Sequence, residues 1–265
     1  MLRRNPDVRV LRADPLGALA MMVFNQVQPP FDNPALRRAV LGALDQSDYL
    51  RAMMGNDETL WRRCASFFAC GSVSESAAGS EVLTGRRDIE ATRSTIQAAG
   101  YRGERIVLLS PTDFPVIHQQ SLVTLDLFKR LGLNVELVAA DWAAVTARRA
   151  SKEPVDKGGW SVMHTWFGGA DLTVPATHPT LRGSGAKAWF GWPDSPRIES
   201  LREAWLGASD PATQRTVIDD LQREAWQVLP FVPIGQFFNP LAIRRELTGV
   251  IEGPIAFFWN VDKAR

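Results

Sequence analysis

Histidine is scarce in this sequence: there are three in 265 residues, and none of them (His118, His164, His178) sits in a catalytic pattern. There is no GxSxG turn to present a serine nucleophile and no HExxH helix to hold zinc, so neither a triad nor a protease-type metal site can be read. A P-loop is missing too, since "GSGAKAWFGW" lacks both a preceding strand and the GK[ST] ending that would let glycines cradle phosphate. Carboxylates are scattered, and no pair takes acid and base roles. These absences argue against an enzyme, and no cofactor or metal is expected.

An excess of charge of one sign is also lacking. Lysine and arginine number 30 against 29 acids, and without a long basic run there is no electrostatic footprint for a nucleic acid. The longest apolar run near the start, "GALAMMVF", falls far short of the ~20 residues that span a bilayer, so no membrane-spanning segment is expected. The opening "MLRRNPDVRV" carries charge with no apolar core behind it, and no signal sequence is expected in this chain. Cysteine is limited to Cys64 and Cys70, too far apart for a CxxC pair and with no histidine close in sequence to complete a metal set. Two readings stay open. One is a disulfide closing a small loop, worth ~2 kcal/mol in the chain-entropy picture and tied to an oxidising compartment. The other is two reduced thiols acting as small apolar residues.

What is present is enough apolar residue, 45% against 22% charged, for a sizeable core in one or two domains. "DNPALRRAVLGALDQSDYL" predicts an amphipathic helix with Asn33 as N-cap and Pro34 at the first helical position, Leu36, Val40, Leu41 and Leu44 sharing a face. A second helix starts at Asp88 and ends at Gly100. "RIVLLS", "VIHQQSLVTLDLFKRLG" and "LNVELVAAD" give a strand, helix, strand order. "DWAAVTARRA" adds a helix and "WSVMHTW" a strand, so parallel sheet covered by helices is expected in the middle of the chain. Helices beginning at Ser195–Pro196 and at Asp210, the latter stopping before Pro230, complete an α/β layer. From Pro230 onward the chain reads as short strands and turns, and the extended segments at the two ends are expected to pair.

Tryptophan is abundant, with nine residues, and Trp160, Trp166, Trp189 and Trp192 gather around the segment "GGWSVMHTWFGGAD". Rigid rings give a ligand wide contact at small entropic cost, and glycines let backbone amides approach it. Core packing is the competing reading and is favoured for Trp160. Trp166, at a strand end beside Gly168 and Gly169, fits a cleft, because open α/β sheets bind ligands outside the carboxyl ends of their strands. Trp166, Phe167, Gly168, Gly169 and Asp171 are therefore the leading site residues.

"NQVQPPFDNPALRRAVLGALDQSDYL" resembles a segment of the family 5 extracellular solute-binding proteins of ABC transporters, the peptide and nickel binders, in which a Pro-Phe turn leads into an Arg-Ala helix. "RRDIEATRSTIQAAGY", "LFKRLGLNVELVAADW", "GGWSVMHTWFGGAD" and "FVPIGQFFNPLAIRRELTGV" resemble later family segments in the same order, but only those of its C-terminal half. The resemblance implies a periplasmic-binding-protein-like (type II, cluster C) C-terminal lobe: helices on a mixed, mainly parallel sheet, with terminal strands belonging to the other lobe. Residues 26–230 would form the lobe, and 1–25 and 231–265 would be first-lobe segments. It also implies an extracytoplasmic location, a Cys64–Cys70 disulfide, a small or peptide-like solute, an ABC permease as partner, and lobe closure without chemistry.

In peptide-binding members an aspartate three residues after the loop tryptophan meets the peptide amine, but that place here is Gly169, with Asp171 the nearest acid. A free peptide amine thus lacks its expected partner unless the loop is reshaped around Asp171. "SPTDFPVIH" also points at the cleft in the family, which makes Asp113, Phe114 and His118 secondary candidates; the competing reading places Asp113 at a helix cap. A stand-alone sensing or partner-binding domain, with an exposed sheet edge through which it could form a homo-oligomer, is the alternative to a transport lobe.

Overall fold

The computed structural model describes residues 5–255 and 257–263. Residues 1–4 of the expected segment 1–25, and residues 256, 264 and 265 of the segment 231–265, lie outside the described residues. The strands are β1 (Val8–Leu11), β2 (Ala18–Phe24), β3 (Trp61–Arg62), β4 (Ile106–Pro111), β5 (Val135–Ala140), β6 (Val162–Gly168), β7 (Val232–Phe237), β8 (Leu241–Arg244), β9 (Leu247–Thr248) and β10 (Asp262–Lys263). The α-helices are α1 (Pro34–Val40), α2 (Gln46–Met54), α3 (Glu81–Thr84), α4 (Ile89–Ala98), α5 (Pro115–Arg130), α6 (Trp142–Arg148), α7 (Pro196–Gly207) and α8 (Pro211–Val228).

Six strands form one sheet in the order β3-β7-β2-β6-β4-β5. The middle of the chain supplies the expected parallel part, β5-β4-β6. β2 then runs antiparallel to both β6 and β7, and β3 antiparallel to β7. β4, β5, β6 and β7 consequently point one way, with β2 and β3 reversed, which gives the mixed α/β sheet expected. α2 and α5 pack on each other, α5 covers β4, β5 and β6, and α2 covers β7.

Next to residues 25 and 230, where the divisions are expected, lie β2 and β7. Both strands lie inside the six-stranded sheet, and every residue of "ALAMMVF" and "VPIGQF" is buried. Such uninterrupted burial is the mark of an interior strand covered on both faces. What the termini share outside this sheet is the β1–β8 ribbon, paired from Val8↔Arg244 to Leu11↔Leu241, so the two ends of the chain do meet.

Local chemistry explains the helix starts. Asn33, Asp88, Asp141, Ser195 and Asp210 each accept a hydrogen bond from a backbone amide of the first turn, which satisfies a donor the helix cannot use itself. The long helix expected from Asn33 is instead two. A 3-10 turn at Leu41–Ala43 ends the first, and Asp45 accepts from Ser47 N to cap a second. β6 begins and ends two residues later than the expected "WSVMHTW", because β2 pairs with it all the way to Ala18↔Gly168.

The cysteines are joined, Cys64 to Cys70. Trp160 is fully buried, in keeping with core packing, and its Nε1–H donates to the Arg149 carbonyl. Two histidines are sealed inside. His178 Nε2–H donates to the Phe67 carbonyl at 2.8 Å while Nδ1 accepts from Leu181 N at 3.0 Å, a pattern only the neutral ring can make. His164 Nε2 lies 2.9 Å from Thr124 Oγ1 and Nδ1 3.3 Å from Ser121 Oγ. Burial pulls both down to about 3.

Because the unfolded chain protonates these rings near pH 6.5 and the folded chain does not, stability is retained above pH 6.5 and falls as pH drops toward 3. The slope expected is about 1.4 kcal/mol per pH unit for each ring. Urea unfolding midpoints between pH 7 and 5, where carboxylates stay ionised, check this: the wild type weakens on acidification and a His164→Gln/His178→Gln chain does so much less. Equal slopes would contradict it.

Candidate functional site

The carboxyl ends of β4, β5, β6 and β7 lie at one end of the sheet, and each hands on to a segment bearing polar or aromatic groups. After β4 come Asp113 and Phe114, after β5 Asp141 and Trp142, after β6 Gly169 and Asp171, and after β7 Phe238, Asn239 and Pro240.

Trp166 is half-buried and lines an open pocket of about 270 Å³ together with Asp14, Gly168, Asn239 and Pro240. Its ring stands edge-on to Phe237 with centroids 6.1 Å apart and 6.5 Å from Phe114. Phe114 in turn meets Trp142 at 5.3 Å. Phe167, the next residue on β6, meets Trp189 edge-on at 5.6 Å. The result is an aromatic rim around the strand ends, its rings spaced for favourable edge and offset contacts.

The two glycines separate. Gly168 belongs to β6 and to the pocket wall, and a Cβ there would meet Asp171 Oδ2 at an ordinary 3.5 Å. Gly169 is buried, its amide donates to the Gly17 carbonyl at 2.6 Å, and a Cβ would lie 2.6 Å from the Leu16 carbonyl oxygen. Gly169 therefore admits the neighbouring backbone, and its amide is engaged by the Gly17 carbonyl. Asp171 is exposed in the 3-10 turn Gly169–Leu172 and is not among the residues lining the Trp166 pocket.

The secondary candidates have defined partners. Asp113 does not cap its own helix: α5 starts after Phe114 with no side-chain cap. Its Oδ1 accepts from Trp142 N at 2.7 Å, so this carboxylate fastens the start of α6, where Trp142 stands. His118 Nδ1 pairs with Ser110 Oγ at 2.8 Å and ties α5 to β4.

Sequence reasoning did not single out Trp142, Trp189 or Asp14 as site residues. For Trp142 a signal existed, since it follows the end of β5 as Asp113 and Phe114 follow β4. Asp14 is far from the loop in sequence and reaches the pocket only through β2 pairing with β6. Among the described residues no cluster of three or more His, Cys, Asp or Glu side chains could hold a metal ion. No helix among them is long and apolar enough to cross a membrane.

Residues 1–189 match the family described as bacterial extracellular solute-binding proteins, family 5 Middle. The chain is 30% identical over 264 residues to a Sinorhizobium fredii protein described as a "probable peptide ABC transporter periplasmic-binding protein", matching 100% of this chain and 50% of that one. Among solved structures, a dipeptide binding protein from Pseudoalteromonas in complex with Met-Leu superposes with a TM-score of 0.77 at 19% identity, covering 99% of this chain and 51% of the other. The ABC transporter-associated periplasmic binding protein DppA from Helicobacter pylori, in complex with peptide STSA, gives 0.79 at 14% identity, covering 100% and 50%. The chain thus spans about half the length of each of these proteins.

Packing at the two glycines is directly testable. Gly169→Ala is expected to cost about 1–3 kcal/mol in denaturant unfolding, because the methyl group must displace the Leu16 backbone. Gly168→Ala, with room for a methyl, is expected to cost under about 1 kcal/mol, mainly reduced space beside Asp171. Equal losses would mean that Gly169 is not held by Leu16.

Proposed function

The chain belongs to the family 5 bacterial extracellular solute-binding proteins, and from that premise we propose that it forms one lobe of a two-lobed solute trap serving an ABC transporter outside the cytoplasm. The solute lies against the aromatic rim at the carboxyl ends of β4 to β7, and the lobes close over it as a hinge motion. On this reading the β1–β8 ribbon and the exposed Phe258 and Trp259 are the surface this lobe offers to the other one. No bond is made or broken; binding and release are the whole cycle.

The observation that carries the reading is the position of Trp166. It ends an inner strand, stays half-exposed in a concave wall, and is braced by Phe114 and Phe237. A braced indole offers a large contact area with little freedom left to lose. Peptides are the first solutes to try, since the proteins of similar fold named above hold Met-Leu and the peptide STSA. With Gly169 engaged by Gly17 and Leu16, a peptide amine would have to be met elsewhere, and Asp14 in the Trp166 pocket is the carboxylate placed to do so.

Titration calorimetry with Met-Leu and Ser-Thr-Ser-Ala tests this. The gene product at native length is expected to bind at least one of them, and Trp166→Ala to weaken it by roughly thirtyfold, the worth of about 2 kcal/mol for a buried aromatic anchor. This chain alone, with one wall of the cleft, is expected to bind weakly. Tight binding by this chain alone, or unchanged affinity in Trp166→Ala, would contradict the proposal.

A further inference from the structure

Burial disfavours the charged form of five arginines: Arg37, Arg62, Arg87, Arg149 and Arg202. Four are compensated. Arg37 donates to the Phe31 and Val228 carbonyls with Asp32 nearby. Arg62 donates to the Cys70 carbonyl with Glu75 nearby, and Arg87 to the Leu83 and Gly85 carbonyls with Asp45 and Asp48 nearby. Arg202 donates to the Leu181 carbonyl with Glu199 nearby.

Arg149 is the exception. Its Nε is buried without a hydrogen bond, as are those of Arg37, Arg62 and Arg87, but among the described residues its guanidinium alone of the five has no carbonyl or carboxylate partner, and desolvation acts on it with no acid to oppose it. Instead three rings surround it: its Cζ lies 4.5 Å from the Phe190 centroid, 5.7 Å from Trp189 and 5.8 Å from Trp142. Rings stabilise the positive charge through their faces but leave the N–H donors unused. Nη1 and Nη2 are not among the buried unpartnered atoms, so these donors stand open to solvent or to an incoming acceptor.

The cage joins the aromatic rim at two points, since Trp142 meets Phe114 and Trp189 meets Phe167, beside and not within the Trp166 pocket. We propose that Arg149 receives a carboxylate of the solute and so selects for an anionic group in this site, an inference that rests on the solute-trap reading above. A stacked guanidinium keeps its edge free, and that edge matches two carboxylate oxygens in parallel. A single positive charge among apolar rings suits a monoanion. A phosphate dianion would leave a second charge unmatched in poorly solvated surroundings.

The test does not require the natural solute. With this chain labelled by nitrogen-15, the Arg149 Nε–H resonance, assigned by its loss in Arg149→Lys, is followed at constant ionic strength during titration with acetate, acetamide and inorganic phosphate. The expected result is a saturable shift with acetate and none with acetamide, the neutral isostere. Fluorescence of the Trp142–Trp189 surround should follow the same curve, weakened by about tenfold or more in Arg149→Met, the worth of a charge-assisted hydrogen bond. Equal, non-saturating drifts with acetate and acetamide would overturn the proposal, as would saturation by phosphate alone. Saturation by acetate in a protein whose native-length form binds neither peptide would leave the anion site standing and remove the peptide-trap reading.

Discussion

The structure depends on the insertion of one strand, β2, between β6 and β7. Its seven residues are buried throughout, and it pairs antiparallel on both sides over nearly its full length. At about 1.5–3 kcal/mol for each large apolar side chain, the strand contributes on the order of 10 kcal/mol, comparable to the whole net stability of a domain. Its register has a direct consequence at the site. Ala18 stands opposite both Gly168 and Phe237, so the start of β2 meets the carboxyl ends of its two neighbours. The preceding residue, Gly17, has φ of 55°, and a Cβ on it would fall 2.3 Å from the Phe237 carbonyl oxygen. Only glycine fits there, and the turn it makes lays Ala13 and Asp14 beside Trp166.

Features encoded within a few residues were legible before the fold was known. The caps at Asn33, Asp88, Ser195 and Asp210 need only a side-chain oxygen and a helix start, and each stands where its residues place it. The split of the expected first helix was not legible, because Leu36, Val40, Leu41 and Leu44 keep a helical spacing up to the break. What breaks it is Asp45, which finds the Ser47 amide and begins a new helix. Long-range order was harder still. β2 meets residues more than a hundred positions away, and an apolar run such as "ALAMMVF" does not state its neighbours. That is why the run alone did not show that β2 lies between β6 and β7.

Trp166 and Phe114 were singled out from their places at and after strand ends, and the fold brings their rings to 6.5 Å from each other. The meaning of Gly169 was not legible, since its partner is Leu16 from a distant segment. Asp113 was weighed as a cap for its own helix and instead holds the backbone of Trp142. Polar groups around the rim thus serve mainly to position rings. Charge inside the protein is otherwise closely managed: His164 and His178 are kept neutral by burial, and buried arginines such as Arg37 end on carbonyl oxygens. Arg149 departs from that pattern, set among Trp142, Trp189 and Phe190 with no carbonyl or carboxylate partner among the described residues.

The central claim is that the rim residues, and not the tryptophans of the core, meet the solute. Fluorine NMR of the native-length protein labelled with fluorotryptophan, titrated with a mixture of di- to tetrapeptides, separates the two sets ring by ring. The account predicts that the resonances of Trp142, Trp166 and Trp189 move, while those of the buried Trp160 and Trp226 stay in place. Movement confined to Trp160 and Trp226, or a uniform shift of all nine indoles, would contradict it.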